Sequence, residues 1–239
     1  MTALQLIATQ MIANDTIRTR AKCLFGLSVL FLAGCGSLQP PPRPVVYDFG
    51  PGTVLAAPVG GNPAASGASW AVAFSGVQSA SALDSTQVLY RLAYSDAQQL
   101  RPYAHARWSM APAELVRQRL REQLGTRRVV LNPTDGLAAP VGSLTLRVDL
   151  DEFSQLFETA DKSAGLVRLR ATVGQTTAAG KERLVAQRSF AARHSSVTMD
   201  AAGGVRALTD ATETVVQELD QWLADTQKSL GTTAPTGQQ

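Results

Sequence analysis

Residues 143–157 read SLTLRVDLDEFSQLF, with Leu144, Leu146, Val148 and Leu150 alternating with Thr145, Arg147, Asp149 and Asp151. A period of two puts the apolar set on one face of a strand and the polar set on the other. The phase breaks at Glu152-Phe153, which predicts a bulge. Residues 165–176 repeat the pattern, with Val167, Leu169, Ala171 and Val173 on one face and Arg168, Arg170 and Thr172 on the other. Residues 184–193 read as a third strand, joined to the second by a turn at Gly180. One polar and one apolar face per strand predicts an antiparallel sheet covered on one side only.

Working outward, Asp200 is placed to cap a helix running from about 201 to 224. Val205, Leu208, Thr212, Val215, Leu219 and Trp222 recur on it at spacings of three and four, one stripe to lay across the sheet. Upstream, Pro112 opens a helix over 112–124 with Glu114 in its first turn, and Gly125 is placed to take a left-handed C′ conformation. Leu115, Val116, Leu120 and Leu124 form its apolar face, and Arg117, Arg119 and Arg121 are expected on a solvated one. Further strands are predicted at 45–49, 70–77, 88–94 and 127–131, with 100–108 extended and a turn at 132–136. Residues 50–69, rich in Gly, Pro and Ala, read as a long loop. The expected fold is α+β: a two-layer sandwich with a mostly antiparallel sheet and two main helices on one face. It is a single domain over 45–230, followed by a tail at 231–239 whose composition predicts disorder.

The beginning of the chain reads as an address. Arg18, Arg20 and Lys22 precede CLFGLSVLFL, a 10-residue apolar run at 23–32, and then Ala33-Gly34-Cys35. That run is far short of the ~20 residues a spanning helix needs, and it has the length of a signal-peptide h-region. A signal anchor, or a buried strand with an incidental cysteine, is the competing reading. The order Leu32-Ala33-Gly34-Cys35 resembles the bacterial lipobox, which implies cleavage between Gly34 and Cys35 and acylation of Cys35, palmitate being a typical chain. Residues 1–34 are then a lipoprotein signal peptide, with Met11 the expected translation start, and residues 35–44 are the lipid anchor and a proline-rich tether (GSLQPPPRP at 36–44). A polyproline II tether advances about 3.1 Å per residue, enough to hold the domain roughly 30 Å from the lipid. Gly36 stands where an Asp would favour inner-membrane retention, so the resemblance points to the outer membrane, on its periplasmic face.

Composition narrows the function. The full chain has 22 Lys+Arg against 19 Asp+Glu, but the leader takes Arg18, Arg20, Lys22 and Asp15, leaving 19 against 18. A near-neutral mature chain offers no electrostatic case for nucleic acid. Cys23 leaves with the leader and Cys35 is acylated, so no thiol remains for a disulfide, a metal or a nucleophile. His105 and His194, the two histidines, have no partner at metal-ligand spacing. There is no G-x-S-x-G elbow, and Gly203-Gly204 lacks the spacing of a phosphate loop. Asp149, Asp151 and Glu152 read as strand solubility rather than a glycosidase or calcium site. No catalytic residue, cofactor site or metal site is expected.

The stretch 88–108 combines Tyr90, Arg91, Tyr94, Tyr103, Arg107 and Trp108. Tyr, Trp and Arg anchor protein interfaces, so these six form a candidate partner surface. They are equally the composition of a strand pair whose aromatics complete the core under the first helix.

The run Leu83-Asp84, Val88-Leu89-Tyr90-Arg91-Leu92-Ala93-Tyr94, Gln99-Leu100, Tyr103-Ala104, Arg107-Trp108 and Pro112-Ala113-Glu114-Leu115 resembles the ABC-type transport auxiliary lipoproteins. So do the lipobox, Tyr47-Asp48-Phe49 and the long C-terminal helix, while the loop at 50–69 departs from the family in length. The resemblance covers most of residues 32–225. It implies a small α/β sandwich with no catalytic residues, anchored by its lipid. It further implies association with an MCE-domain periplasmic protein and, through it, an ABC permease and ATPase moving phospholipid or another hydrophobic molecule across the envelope. A lipid- or lipopolysaccharide-binding envelope-assembly lipoprotein is the alternative, and it calls for a deep apolar cavity.

Overall fold

A computed structural model describes residues 43–51, 70–133 and 141–232. The lipobox, Cys35, most of the tether and of the 50–69 loop, and the tail from 233 fall outside the described residues.

The described elements are β1 (Val45–Tyr47), β2 (Ala71–Ser79), a 3-10 turn (Ser81–Leu83), β3 (Gln87–Leu92), the one-turn helix α1 (Ala93–Asp96), β4 (Ala97–Trp108), α2 (Pro112–Gly125), β5 (Val129–Leu131), β6 (Leu144–Thr159), β7 (Lys162–Thr176), β8 (Glu182–Ser195) and α3 (Ala201–Thr232). All eight strands join one mixed sheet. β6 is its axis. Along one side β2 pairs with its first half and β3 with its second, and along the other side β7 pairs with nearly its whole length.

The α+β character matches the expectation, but the strand directions do not. Four of the seven pairings are parallel (β1–β4, β2–β5, β2–β6, β3–β6) and three antiparallel (β3–β4, β6–β7, β7–β8). Alternation reports which residues share a face; it carries no information about the direction of the neighbouring strand. The antiparallel pattern holds for the β6–β7–β8 meander, where the alternation was clearest. β2, by contrast, buries Val72, Ala73 and Phe74 in succession, as a strand covered on both faces does.

The β6 bulge falls where the phase breaks. Leu150 pairs with Leu169 and Glu152 with Arg168, leaving Asp151 as the extra residue. Before it, Leu144, Leu146, Val148 and Leu150 face the core; after it, Phe153 does. These side chains share one core with Leu115, Val116, Leu120 and Leu124 of α2 and with Leu208, Val215, Leu219 and Leu223 of α3. Gly180 turns the β7–β8 hairpin at φ +69°. The Asp200 carboxylate accepts the Gly203 N–H at 2.8 Å and caps α3, which runs on to Thr232, past the expected end at 224.

Two details of α2 correct the expectation. Gly125 stays within the helix and has no positive φ; Thr126 forms the cap instead, its hydroxyl donating to the Gln123 carbonyl at 2.7 Å. Arg119 is not solvated but 8% exposed: it donates to the Phe49 carbonyl at 3.2 Å and pairs with Glu122 and Glu213. A guanidinium so enclosed is accommodated because its donors are spent on carboxylates and a carbonyl.

Candidate partner surface

The six residues of the 88–108 stretch sit on β3, α1 and β4, yet they do not make one surface. Trp108 is 2% exposed. Its indole meets Phe49 edge-on at 5.7 Å between centroids and Phe153 at 5.6 Å, a three-ring cluster inside the core. Trp108 therefore completes the core and is not available to a partner. Tyr90 is half-buried, tilted against Tyr103 at 4.6 Å and edge-on to Phe157 at 6.0 Å.

Tyr103 reaches inward. Its hydroxyl donates to Gln155 Oε1 at 2.6 Å, and Gln155 Nε2 donates to Ser163 Oγ at 2.8 Å and Ser196 Oγ at 3.3 Å. Burial, then the neighbouring Tyr90 and Asp200, push the Tyr103 hydroxyl well above the usual phenol value, so it remains a proton donor. Gln155 is fully buried, and this chain of bonds ties β4, β6, β7 and the β8–α3 connection together. Such a network is what keeps a buried amide from being a liability.

The arginines are also committed internally. Arg91 forks onto Glu152 at 3.1 and 3.4 Å and donates to the carbonyls of Ala97 and Gln98, fastening α1 and the start of β4 over β6. Arg107 donates to the carbonyls of Tyr103 and Ala106 at 2.7 and 2.8 Å. It thereby bridges the place where β4 slips register against β3, between Gln87↔Arg107 and Leu89↔Pro102. Of the six, only Tyr94, at 53%, is an exposed large side chain.

The exposed apolar side chains that sequence reasoning missed are Val197 (87%), Val141 (68%) and Leu184 (66%). Each lies in or beside a turn or an edge strand, where a single apolar residue gives no periodic signal. The sheet face away from the helices is charged. Arg170 pairs with Asp151 at 3.2 Å and Arg147 with Glu182, while Arg168 stays exposed. Asp149 and Asp151 line a shallow cleft with Gln78, Ser79 and Arg170. A second cleft, about 90 Å³, lies between Phe49 and α2 and is lined by Asp48, Gln118, Arg119 and Glu122. Both are polar.

The comparisons with known proteins agree with this fold. Among solved structures, a Xanthomonas campestris protein of the DUF330 family model superposes with a TM-score of 0.59 at 21% identity, covering 69% of this chain and 90% of its own. An uncharacterized protein superposes with a TM-score of 0.52 at 13% identity, covering 64% of this chain and 92% of its own. A search of curated proteins finds no match. The family model described as "ABC-type transport auxiliary lipoprotein component" matches residues 54–220, ending within α3, and the chain belongs to that family.

Proposed function

We propose that this protein is the membrane-anchored accessory lipoprotein of an MCE-type ABC transport system, moving phospholipid or another hydrophobic molecule across the cell envelope. The observation that carries the reading is the family match over 54–220. Cys35 holds the acyl chains after cleavage at Gly34-Cys35, on the periplasmic face of the outer membrane. The domain has no catalysis of its own and acts by docking. With Trp108 in the core and Arg91 and Arg107 half-buried and spent internally, the docking surface is the charged sheet face around Arg147, Arg168 and Arg170, where Arg168 is exposed and the paired Arg147 and Arg170 stay about half exposed. A charged face that no helix among the described residues covers suits a partner met in water. A lipid-binding chaperone is favoured less: small-molecule pockets are mainly apolar, whereas the cleft beside Asp149 and Asp151 and the one beside α2 both expose more polar than apolar surface.

The test is co-purification of the full-length protein from crosslinked membranes. An MCE-domain protein with the ABC permease and ATPase is the expected catch, and Arg168→Glu with Arg170→Glu should remove it. Recovery of no transport component, together with flanking genes that encode none, would sink the reading.

A further inference from the structure

The strand registers fix the end of the sheet at which the chain enters. Val45 pairs with Ala106 and Tyr47 with Trp108, while Arg107 lies opposite Gln87 and Tyr90 opposite Gln155. β1 therefore starts level with about Phe153 and runs toward the Leu144 end of β6. Pro44, just before it, lies on the side of the β6–β7 turn. At about 3.3 Å per strand residue, the six positions from Phe153 to Thr159 put that turn ~20 Å away, and the nine back to Leu144 put the opposite end ~30 Å away. Nine residue steps separate Cys35 from Pro44, a reach of at most ~32 Å. The turn end can touch the surface that holds Cys35 with chain to spare. The opposite end would need the segment fully extended and doubled back.

That same end displays apolar side chains on a braced frame. Val197 is 87% exposed at the tip of the connection between β8 and α3. The connection is tied down on both sides of it. The Ser196 N–H donates to the Ser163 carbonyl at 2.8 Å, and the Ser196 hydroxyl accepts from Gln155. Ser163 Oγ donates to Met199 Sδ at 3.3 Å, and Thr198 Oγ1 donates to Asp200 at 2.7 Å. Val197 is thus held out into solvent by fixed geometry. Tyr94, on α1 immediately after Leu92↔Phe157, is exposed at the same end, and Val45 and Val46 are 54% and 62% exposed where the chain enters. An aliphatic tip and an aromatic ring with a hydroxyl at one end of the sheet are side chains that the lipid headgroup region accommodates.

We propose that the β6–β7 turn end of the sheet faces the membrane, with Val197 and Tyr94 seated in the headgroup region of the bilayer that holds the acyl chains. This rests on the lipid-anchor reading of Cys35. It places Val141 and Leu184, at the opposite end, toward the periplasm.

The mature chain has no other cysteine, so Val197→Cys, Tyr94→Cys and Leu184→Cys each offer one thiol for a polarity-sensitive fluorophore on the acylated full-length protein. In phosphatidylethanolamine/phosphatidylglycerol vesicles, the probes at 197 and 94 should shift to the blue and be quenched by headgroup-region spin-labelled lipid, and the probe at 184 should do neither. Probes at 197 and 94 that stay aqueous on protein that floats with the vesicles overturn the orientation and leave the anchor standing. A shift insensitive to lipid quencher that grows with the protein-to-lipid ratio identifies a second copy of the chain as the occupant, and overturns it too. Protein that does not float and lacks acyl mass on Cys35 overturns the anchor reading and the orientation together.

Discussion

The Arg128 guanidinium and the Asp220 carboxylate form an ion pair with side-chain exposures of 1% and 2%. It joins the segment after α2 to the middle of α3. Gln123 of α2 adds a hydrogen bond to Asp220 at 3.1 Å, Arg127 approaches it at 3.6 Å, and the Trp70 ring lies 4.7 Å from the Arg128 guanidinium carbon. Burial lowers the Arg128 pKa, and the Asp220 carboxylate, by its charge and its hydrogen bond, opposes that shift.

Removing one partner strands the other. Asp220→Ala should destabilise the domain by about 3–5 kcal/mol, read as a lower urea midpoint, whereas Arg128→Met with Asp220→Leu should fall near the parent. A single variant as mild as the double would show that the pair is not closed to water.

Trp108→Ala removes the centre of the Phe49–Trp108–Phe153 cluster and should cost about 3–5 kcal/mol, while Tyr94→Ala should stay within about 0.5 kcal/mol. Denaturant curves of the two decide between core and surface for the 88–108 stretch. Equal, small effects would return Trp108 to the surface.

Asp200→Ala should cost about 1 kcal/mol as the loss of a helix cap. The Gly203 N–H, then the Thr198 hydroxyl, hold the Asp200 carboxyl below the ordinary carboxylate value. With the folded pKa depressed, the contribution is complete above the unfolded value near 4 and is lost as pH falls through the folded one. The stability gap between parent and variant should therefore be flat at neutral pH and close only in acid. A gap that widens in acid would contradict the cap.

Gly165 sits where a Cβ would run into the backbone of Ala207 and Leu208 in α3. Gly165→Ala should force helix and sheet apart at a cost of about 1–3 kcal/mol. Gly180→Ala meets no atom within 4 Å, but its φ of +69° imposes about 1–2 kcal/mol of backbone strain. Thermal melts of the two, with a crystal structure of the first, separate displacement of α3 from local strain.

How far the sequence could be read depends on the range of each signal. The faces of β6 and β7, the bulge after Leu150 and the cap at Asp200 were all legible, because each is written within a few neighbouring residues. The parallel pairings of β2 and β3 with β6 were not, since a strand alternates identically whichever way its neighbour runs. Arg119 reads as a solvated helix charge until Phe49, 70 residues upstream, brings its carbonyl to it. Trp108 is ambiguous for the same reason: core and interface draw on the same aromatics, and only Phe49 and Phe153, both remote in sequence, decide. The buried glutamine at 155 gave no warning, because nothing local announces that Tyr103, Ser163 and Ser196 will converge on it.

The central place of β6 also sets an order of assembly. β2 and β3 precede it in the chain, and their parallel partners on it, Leu144 for Val72 and Gln155 for Tyr90, come much later. Parallel pairing across such separations closes long loops and is slow, whereas the β6–β7–β8 meander needs only short turns. A chain threaded amino end first across a membrane delivers β2 with its apolar Val72, Ala73 and Phe74 before the strand that receives them exists. In such a chain the amino-terminal half stays unfinished until β6, which ends about two-thirds of the way along the polypeptide, has followed it across.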